Sequence, residues 1–272
     1  MVINLHYVEQ GQGQPLVLIP GWSQSVRSFA GQLAGLSDRY RVIAVDMRGH
    51  GESPKPAHGY RVARLAQDVS EFLARLDLRD VALAGHSMGA SIIWSYLEQF
   101  GGERLAKLIF IDQAPMVTNA YGLTGEALLQ AGCAFTPESL YATANAIVSN
   151  REATLAGLRS AFFSAAISAD DFALAVAESL KVPAAYAARL LIDHGAQDWR
   201  DVIQQVIPSL KLPTLVFGGE LASIFPPAAA RWIASQIPGS ELSIFSVEEG
   251  GSHFMFWENP QKFNAVVRRF LA

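Results

Sequence analysis

A serine between glycines, Gly85-His86-Ser87-Met88-Gly89, follows the apolar run Val81-Ala82-Leu83-Ala84 and precedes the helical stretch Ala90 to Gln99. This is the G-x-S-x-G elbow, whose sharp strand-to-helix turn projects the hydroxyl over the end of a sheet. Glycines on both flanks let the chain turn that tightly. An ordinary glycine-rich turn can share the five letters, so the flanking strand and helix separate the two readings. A serine hydroxyl needs a base to take its proton. Of six histidines, His253 stands in a late loop, Gly250-Gly251-Ser252-His253-Phe254, and is the expected general base. His86 is the variable residue of the elbow and is expected beside the substrate, and His50 lies in a turn. His6, His58 and His194 read as surface or packing residues. The oxyanion formed in acyl transfer needs N–H donors, and the backbone of Met88 and of Trp22, in the turn Pro20-Gly21-Trp22-Ser23, can supply them. Only the Trp22 backbone is required, so its indole is free to pack over the site entrance.

These residues need a rigid frame. The runs Pro15 to Pro20, Tyr40 to Asp46 and Val81 to Gly85 are short and almost wholly apolar, as strands buried on both faces are. Val62, Leu65, Val69, Phe72, Leu73 and Leu76 repeat at helical spacing, with Asp68, Glu71 and Arg75 left for the outer side. The fold class is therefore α/β, a mostly parallel central sheet with helices on both faces. Met1 to Tyr7 reads as a first strand, Glu241 to Phe245 as the last, and Pro260 to Leu271 as a closing helix. Two further strand-like runs, Leu108 to Asp112 and Pro213 to Gly219, are separated by a gap far longer than an ordinary crossover. Its alanine-rich helical stretches, Leu140 to Val148, Thr154 to Phe163, Phe172 to Leu180 and Ala184 to Ile192, predict a helical cap over 116–205. The cap is inserted after the fifth or sixth strand, leaving 1–115 and 206–272 as the core.

Across almost its whole length the chain resembles the α/β-hydrolase fold superfamily. The resemblance rests on the elbow, on Pro20-Gly21-Trp22, on Asp46-Met47-Arg48-Gly49-His50-Gly51-Glu52-Ser53 and on Gly251-Ser252-His253-Phe254. The Asp46 to Ser53 segment is similar to a turn that is structural in the superfamily, so Asp46 and Arg48 carry no expected chemistry. The resemblance implies a catalytic triad whose acid follows the strand after the cap, in a pattern like G-x-x-D-x-x-x-P. Here that stretch is Gly219-Glu220-Leu221-Ala222-Ser223-Ile224-Phe225-Pro226, with Ala222 where the aspartate belongs. Asp112 is the preferred replacement, because it ends the strand after the elbow unit on the sheet edge where Ser87 and His253 should meet. Glu220 is the alternative, though a two-residue shift along a strand end redirects it by several ångströms. A dyad, or no activity, is the third.

Composition narrows the class. Of 272 residues, 50% are hydrophobic and 17% charged, which excludes a disordered chain. A net charge of -4, with basic residues scattered, leaves no surface for nucleic acid. The single cysteine, Cys133, excludes an internal disulfide or CxxC site. No apolar run is long enough to span a membrane and the amino terminus lacks a signal-peptide pattern, so a soluble cytoplasmic protein without a membrane partner is expected. No metal-ligand spacing or phosphate-cradling loop appears, and neither metal nor cofactor is expected. Trp22, Tyr121, Phe135, Phe162, Phe163, Phe254, Phe256 and Trp257 could line an apolar pocket, with Trp22, His86 and Phe254 against the substrate. The expected activity is hydrolysis of an ester or related acyl bond of a largely hydrophobic small molecule through an acyl-serine. A cofactor-free dioxygenase of the hydroxy-oxoquinaldine type is the alternative, although Gln24 stands where such proteins carry histidine. A non-catalytic ligand-binding member, suggested by Ala222, is the second.

Overall fold

The short apolar runs do become strands. In chain order they are β1 (Tyr7–Gln10), β2 (Pro15–Ile19), β3 (Arg41–Val45), β4 (Val81–His86), β5 (Leu105–Ile111), β6 (Thr214–Gly219) and β7 (Glu241–Phe245). The computed structural model, which describes residues 2–272, joins them in one sheet of order β1-β3-β2-β4-β5-β6-β7. β1 is antiparallel to β3, and every other pair is parallel. Alternate side chains go to opposite faces. Val17, Ile19, Ile43 and Leu83 pack with Trp94 on one, while Leu16, Leu18, Val42 and Ile109 pack with Phe256 and Phe263 on the other.

Two sequence expectations need correction. The first strand, expected over Met1 to Tyr7, starts only at Tyr7, because its pairing with β3 runs from Tyr7 opposite Val45 to Gln10 opposite Val42; Met1 lies outside the described residues. Just before it the His6 N–H turns aside to the Ser53 hydroxyl. Asp68, expected on the outer side of the helix Val62–Arg75, is 2% exposed. It accepts two 2.7 Å hydrogen bonds from the guanidinium of Arg48, which is itself fully buried. A planar fork matched to a carboxylate makes burial of both charges tolerable.

Between β5 and β6 the chain is helical, with helices at Gly125–Ala131, Pro137–Ser149, Arg151–Gly157, Arg159–Phe162, Ala169–Leu180 and Ala184–Gly195. The stretch read as continuous from Thr154 to Phe163 is thus broken at Leu158. Leu140, Ala144, Ile147, Ala187 and Leu191 form a small apolar cluster of their own. Trp199, Val202, Ile203 and Ile207 instead join the main core beside Trp94. The boundary drawn at 205/206 therefore falls inside packing that belongs to the core.

The elbow is set by close backbone approaches. A Cβ on Gly85 would lie 2.4 Å from the carbonyl carbon of Gly89, and one on Gly89 would lie 2.4 Å from the carbonyl oxygen of Ile19. Neither neighbour is a side chain that can move aside. Gly85→Ala should therefore destabilise the protein by about 2–3 kcal/mol. Gly157→Ala, at a helical glycine with nothing within 4 Å, should be neutral or stabilising by up to about 1 kcal/mol. Denaturant unfolding of the two variants checks this, and equal effects would contradict it.

Candidate active site

Ser87 sits at φ 54° and ψ −125°, a region costly for a residue with a Cβ, at the start of the helix Met88–Phe100. Its N–H donates to the Ile111 carbonyl at 2.9 Å, and the Asp112 N–H donates to Phe217 at 3.0 Å. The ends of β4, β5 and β6 are thus tied in series, with Ser87 and Asp112 on adjoining strand ends. Asp112 is also held at positive φ, 45°.

His253 comes from the loop after β7. Its Nδ1 lies 2.5 Å from Asp112 Oδ2, with both side chains buried. Glu220 lies elsewhere: it is exposed and accepts from the Val247 N–H at 3.3 Å. The reason is the turn after β6, where the Glu220 N–H pairs with the Phe245 carbonyl and leaves the side chain on the solvent edge. Ala222, by contrast, is 3% exposed.

The imidazole of His253 is enclosed by rings, with Phe162 stacked at 5.5 Å, Phe225 edge-on at 5.7 Å, and His86 at 4.5 Å. This desolvation pushes its pKa down to about 3, so the ring is a free base at neutral pH. Burial pushes the Asp112 carboxyl well above its usual range, and an N–H from Gly219 opposes that push. The Nδ1–H of His253 faces the same carboxylate and fixes the tautomer that leaves Nε2 as acceptor. His86 acts on His253 through the backbone. A carbonyl can only accept, so the His86 Nε2–H donates to the His253 carbonyl at 3.0 Å.

The turn carrying Trp22 is fixed by residues that sequence reasoning left as structural. A Cβ on Gly21 would meet the Ser87 Cβ at 3.0 Å, which puts this turn directly against the elbow. His50 donates from Nδ1 to the Arg48 carbonyl at 2.9 Å and accepts the Ser23 N–H on Nε2 at 3.1 Å. Asp46 accepts the N–H groups of Val26 and Glu52. The Trp22 indole donates to the Ala187 carbonyl of the inserted helices at 2.8 Å. At the elbow, the Met88 N–H is the first of its helix and has no partner within it.

Ser87, His86, His253, Trp22 and Phe254 line one cavity of about 50 Å³. Phe135 and Phe162 line it too, as does Phe225, with Val117, Ile147, Leu158, Leu191 and Ile224. The other aromatic candidates stand outside it. Tyr121 is exposed, Phe163 stacks on the back of Phe254, Phe256 is in the core, and the Trp257 indole donates to Asp171. Thr143 and His194 also line the cavity, and neither was singled out from the sequence for this. Among the described residues no group of His, Cys, Asp and Glu is arranged to hold a metal ion.

A family model described as alpha/beta hydrolase fold matches residues 14–260. The chain is 28% identical to a non-heme chloroperoxidase of Kitasatospora aureofaciens, over 99% of this chain and 96% of that one. It is also 28% identical to an esterase from Exiguobacterium antarcticum whose structure superposes with a TM-score of 0.88, covering 99% of this chain and 96% of that chain. A bromoperoxidase from Bacillus anthracis, 24% identical over 99% and 95% of the two chains, shares the fold with a TM-score of 0.88.

Four buried histidines have lowered pKa values, His50 to about 4, His194 and His253 to about 3 and His86 well below its usual range, each chiefly through desolvation. The unfolded chain binds these protons near pH 6.5 and the native state does not, so stability falls as pH drops from 6.5 toward 4. Asp112 and Asp193, whose carboxyl pKa values burial raises, work in the opposite sense. The melting temperature should be roughly 10 °C lower at pH 5 than at pH 7. A flat profile in thermal scans would contradict the neutral, buried state of these rings.

Proposed function

This chain belongs to the alpha/beta hydrolase fold family, and from that premise we propose that it is a serine esterase working through an acyl-serine. The observation that carries the reading is the buried 2.5 Å contact between His253 and Asp112, on the wall of the cavity that Ser87 also lines. Its free-base imidazole takes the Ser87 proton as the hydroxyl oxygen attacks the ester carbonyl. Trp22 and Met88 donate their N–H groups to the oxyanion. When the tetrahedral intermediate collapses, the C–O bond to the alcohol breaks and His253 returns the proton to the leaving oxygen. Water, deprotonated by the same ring, then attacks the acyl-serine carbonyl; the bond to Ser87 Oγ breaks, His253 returns the proton to that oxygen, and the acid is released. Asp112 holds the imidazole in the productive tautomer and stabilises the imidazolium.

The cavity supports a short, apolar acyl group. About 50 Å³ is room for about four water-sized groups, and the walls are almost all apolar. The esterase at 28% identity supports ester chemistry, and the chloroperoxidase at the same identity supports the shared fold. Two observations weigh against the remaining readings. The Gln24 amide is committed to Ser179 at 2.9 Å and does not line the cavity, so this position, where a dioxygenase is expected to carry histidine, supplies no base. The carboxylate missing at Ala222 has a counterpart in Asp112, which removes the reason for a purely binding role.

A fluorophosphonate should label Ser87, and Ser87→Ala should abolish labelling. Asp112→Asn should lower kcat on p-nitrophenyl butyrate by roughly 10⁴, by analogy with serine proteases, while Glu220→Gln stays within about twofold. Turnover should fall about tenfold or more from butyrate to decanoate esters, because the cavity has no room for the longer chain. An inert Ser87, or an Asp112→Asn variant near wild-type activity, would defeat the assignment.

A further inference from the structure

Of the five histidine and hydroxyl side chains on the cavity wall, four serve the reacting bond or bond to the protein. Ser87 and His253 face the reacting bond, Thr143 gives its hydroxyl hydrogen to the Ser139 carbonyl at 2.8 Å, and His86 donates from Nε2 to the His253 carbonyl, its unpaired Nδ1 lying against Gly21. The fifth, His194, is carried by the helix Ala184–Gly195 and is 4% exposed. Neither of its ring nitrogens has a hydrogen-bond partner among the described residues; Nδ1 is sealed within the protein, and Nε2 is the nitrogen left open to the cavity. A polar atom left unpaired on a wall otherwise built of Val117, Ile147 and Leu191 is costly once water is displaced, so Nε2 calls for a partner that arrives with the ligand.

We propose that His194 is the specificity-determining residue of this cavity and that it binds an uncharged hydroxyl on the acyl chain of the substrate. The inference rests on the reading of the cavity as the acyl site of an esterase. A neutral imidazole offers one N–H donor and one lone pair, and a hydroxyl can meet either. A carboxylate is excluded by the surroundings. No lysine or arginine lines the cavity, so an anion there would be buried without a counter-charge. Burial also holds the His194 ring neutral, with its pKa lowered to about 3.

The test compares p-nitrophenyl butyrate with its 2-hydroxy and 3-hydroxy counterparts on the wild-type protein, His194→Phe and His194→Gln. The wild type should favour one hydroxylated ester by about five- to tenfold in kcat/KM, the worth of one neutral hydrogen bond. His194→Phe should bring that ratio to about one, and His194→Gln, which keeps a donor and an acceptor, should retain part of it. A wild-type ratio near one for both hydroxylated esters, or an unchanged ratio in His194→Phe, would overturn the assignment. A second measurement does not depend on turnover. Calorimetric binding of the matching hydroxybutyramide to Ser87→Ala should weaken about five- to tenfold when His194→Phe is added. If that loss is seen while no ester is hydrolysed, His194 stands and the esterase reading falls. If esters are hydrolysed without any dependence of preference on His194, the reverse holds.

Discussion

A short hydrogen bond in a dry place organises this protein. His253 and Asp112 meet across the carboxyl ends of the strands, and neither can be charged there cheaply. Every element around them limits that cost. The N–H of Gly219 reaches the Asp112 carboxylate, β5 and β6 pin the Asp112 backbone, and three phenylalanines and His86 keep water from the imidazole. The ring is thereby left as a base with one free nitrogen, on the wall of a largely apolar cavity.

Much of this frame is legible in the sequence, because glycine and serine at an elbow and apolar runs of strand length have few other uses. Gly85 and Gly89 are demanded by backbone contacts that any sheet-to-helix turn of this kind must make. The choice of Asp112 over Glu220 was also open to topological argument, since the strand order places β5 between β4 and β6. The pocket wall was less legible. Val117, Ile147 and Leu191 belong to amphipathic stretches whose periodicity tells that a face is buried, not whether it faces a core or a cavity. The same limit explains Phe256 and Trp257, which looked like wall residues and are packing. Asp68 misled for a different reason: its partner Arg48 is distant in sequence, and a lone charge on a helix reads as a surface residue.

The Asp46 to Ser53 turn has a clear purpose in three dimensions. It does no chemistry, yet Asp46 and His50 hold the backbone of residues 23–26, and so the turn that carries Trp22. From there a line of polar contacts runs to the inserted helices. Gln24 pairs with Ser179, Ser25 with Glu178, Arg151 with Ser23, and the Trp22 indole with Ala187. The inserted helices therefore bear on the same turn that is proposed to bind the oxyanion, and any movement of them would be felt there.

The central claim is that the carboxylate acting on His253 has moved to the end of β5. The most direct measurement is the proton NMR signal of the His253 ring, observed in protein labelled with nitrogen-15 at histidine. A strongly deshielded Nδ1 proton is expected in the wild type, persisting in Glu220→Gln and disappearing in Asp112→Asn. Persistence of that signal in Asp112→Asn would contradict the claim.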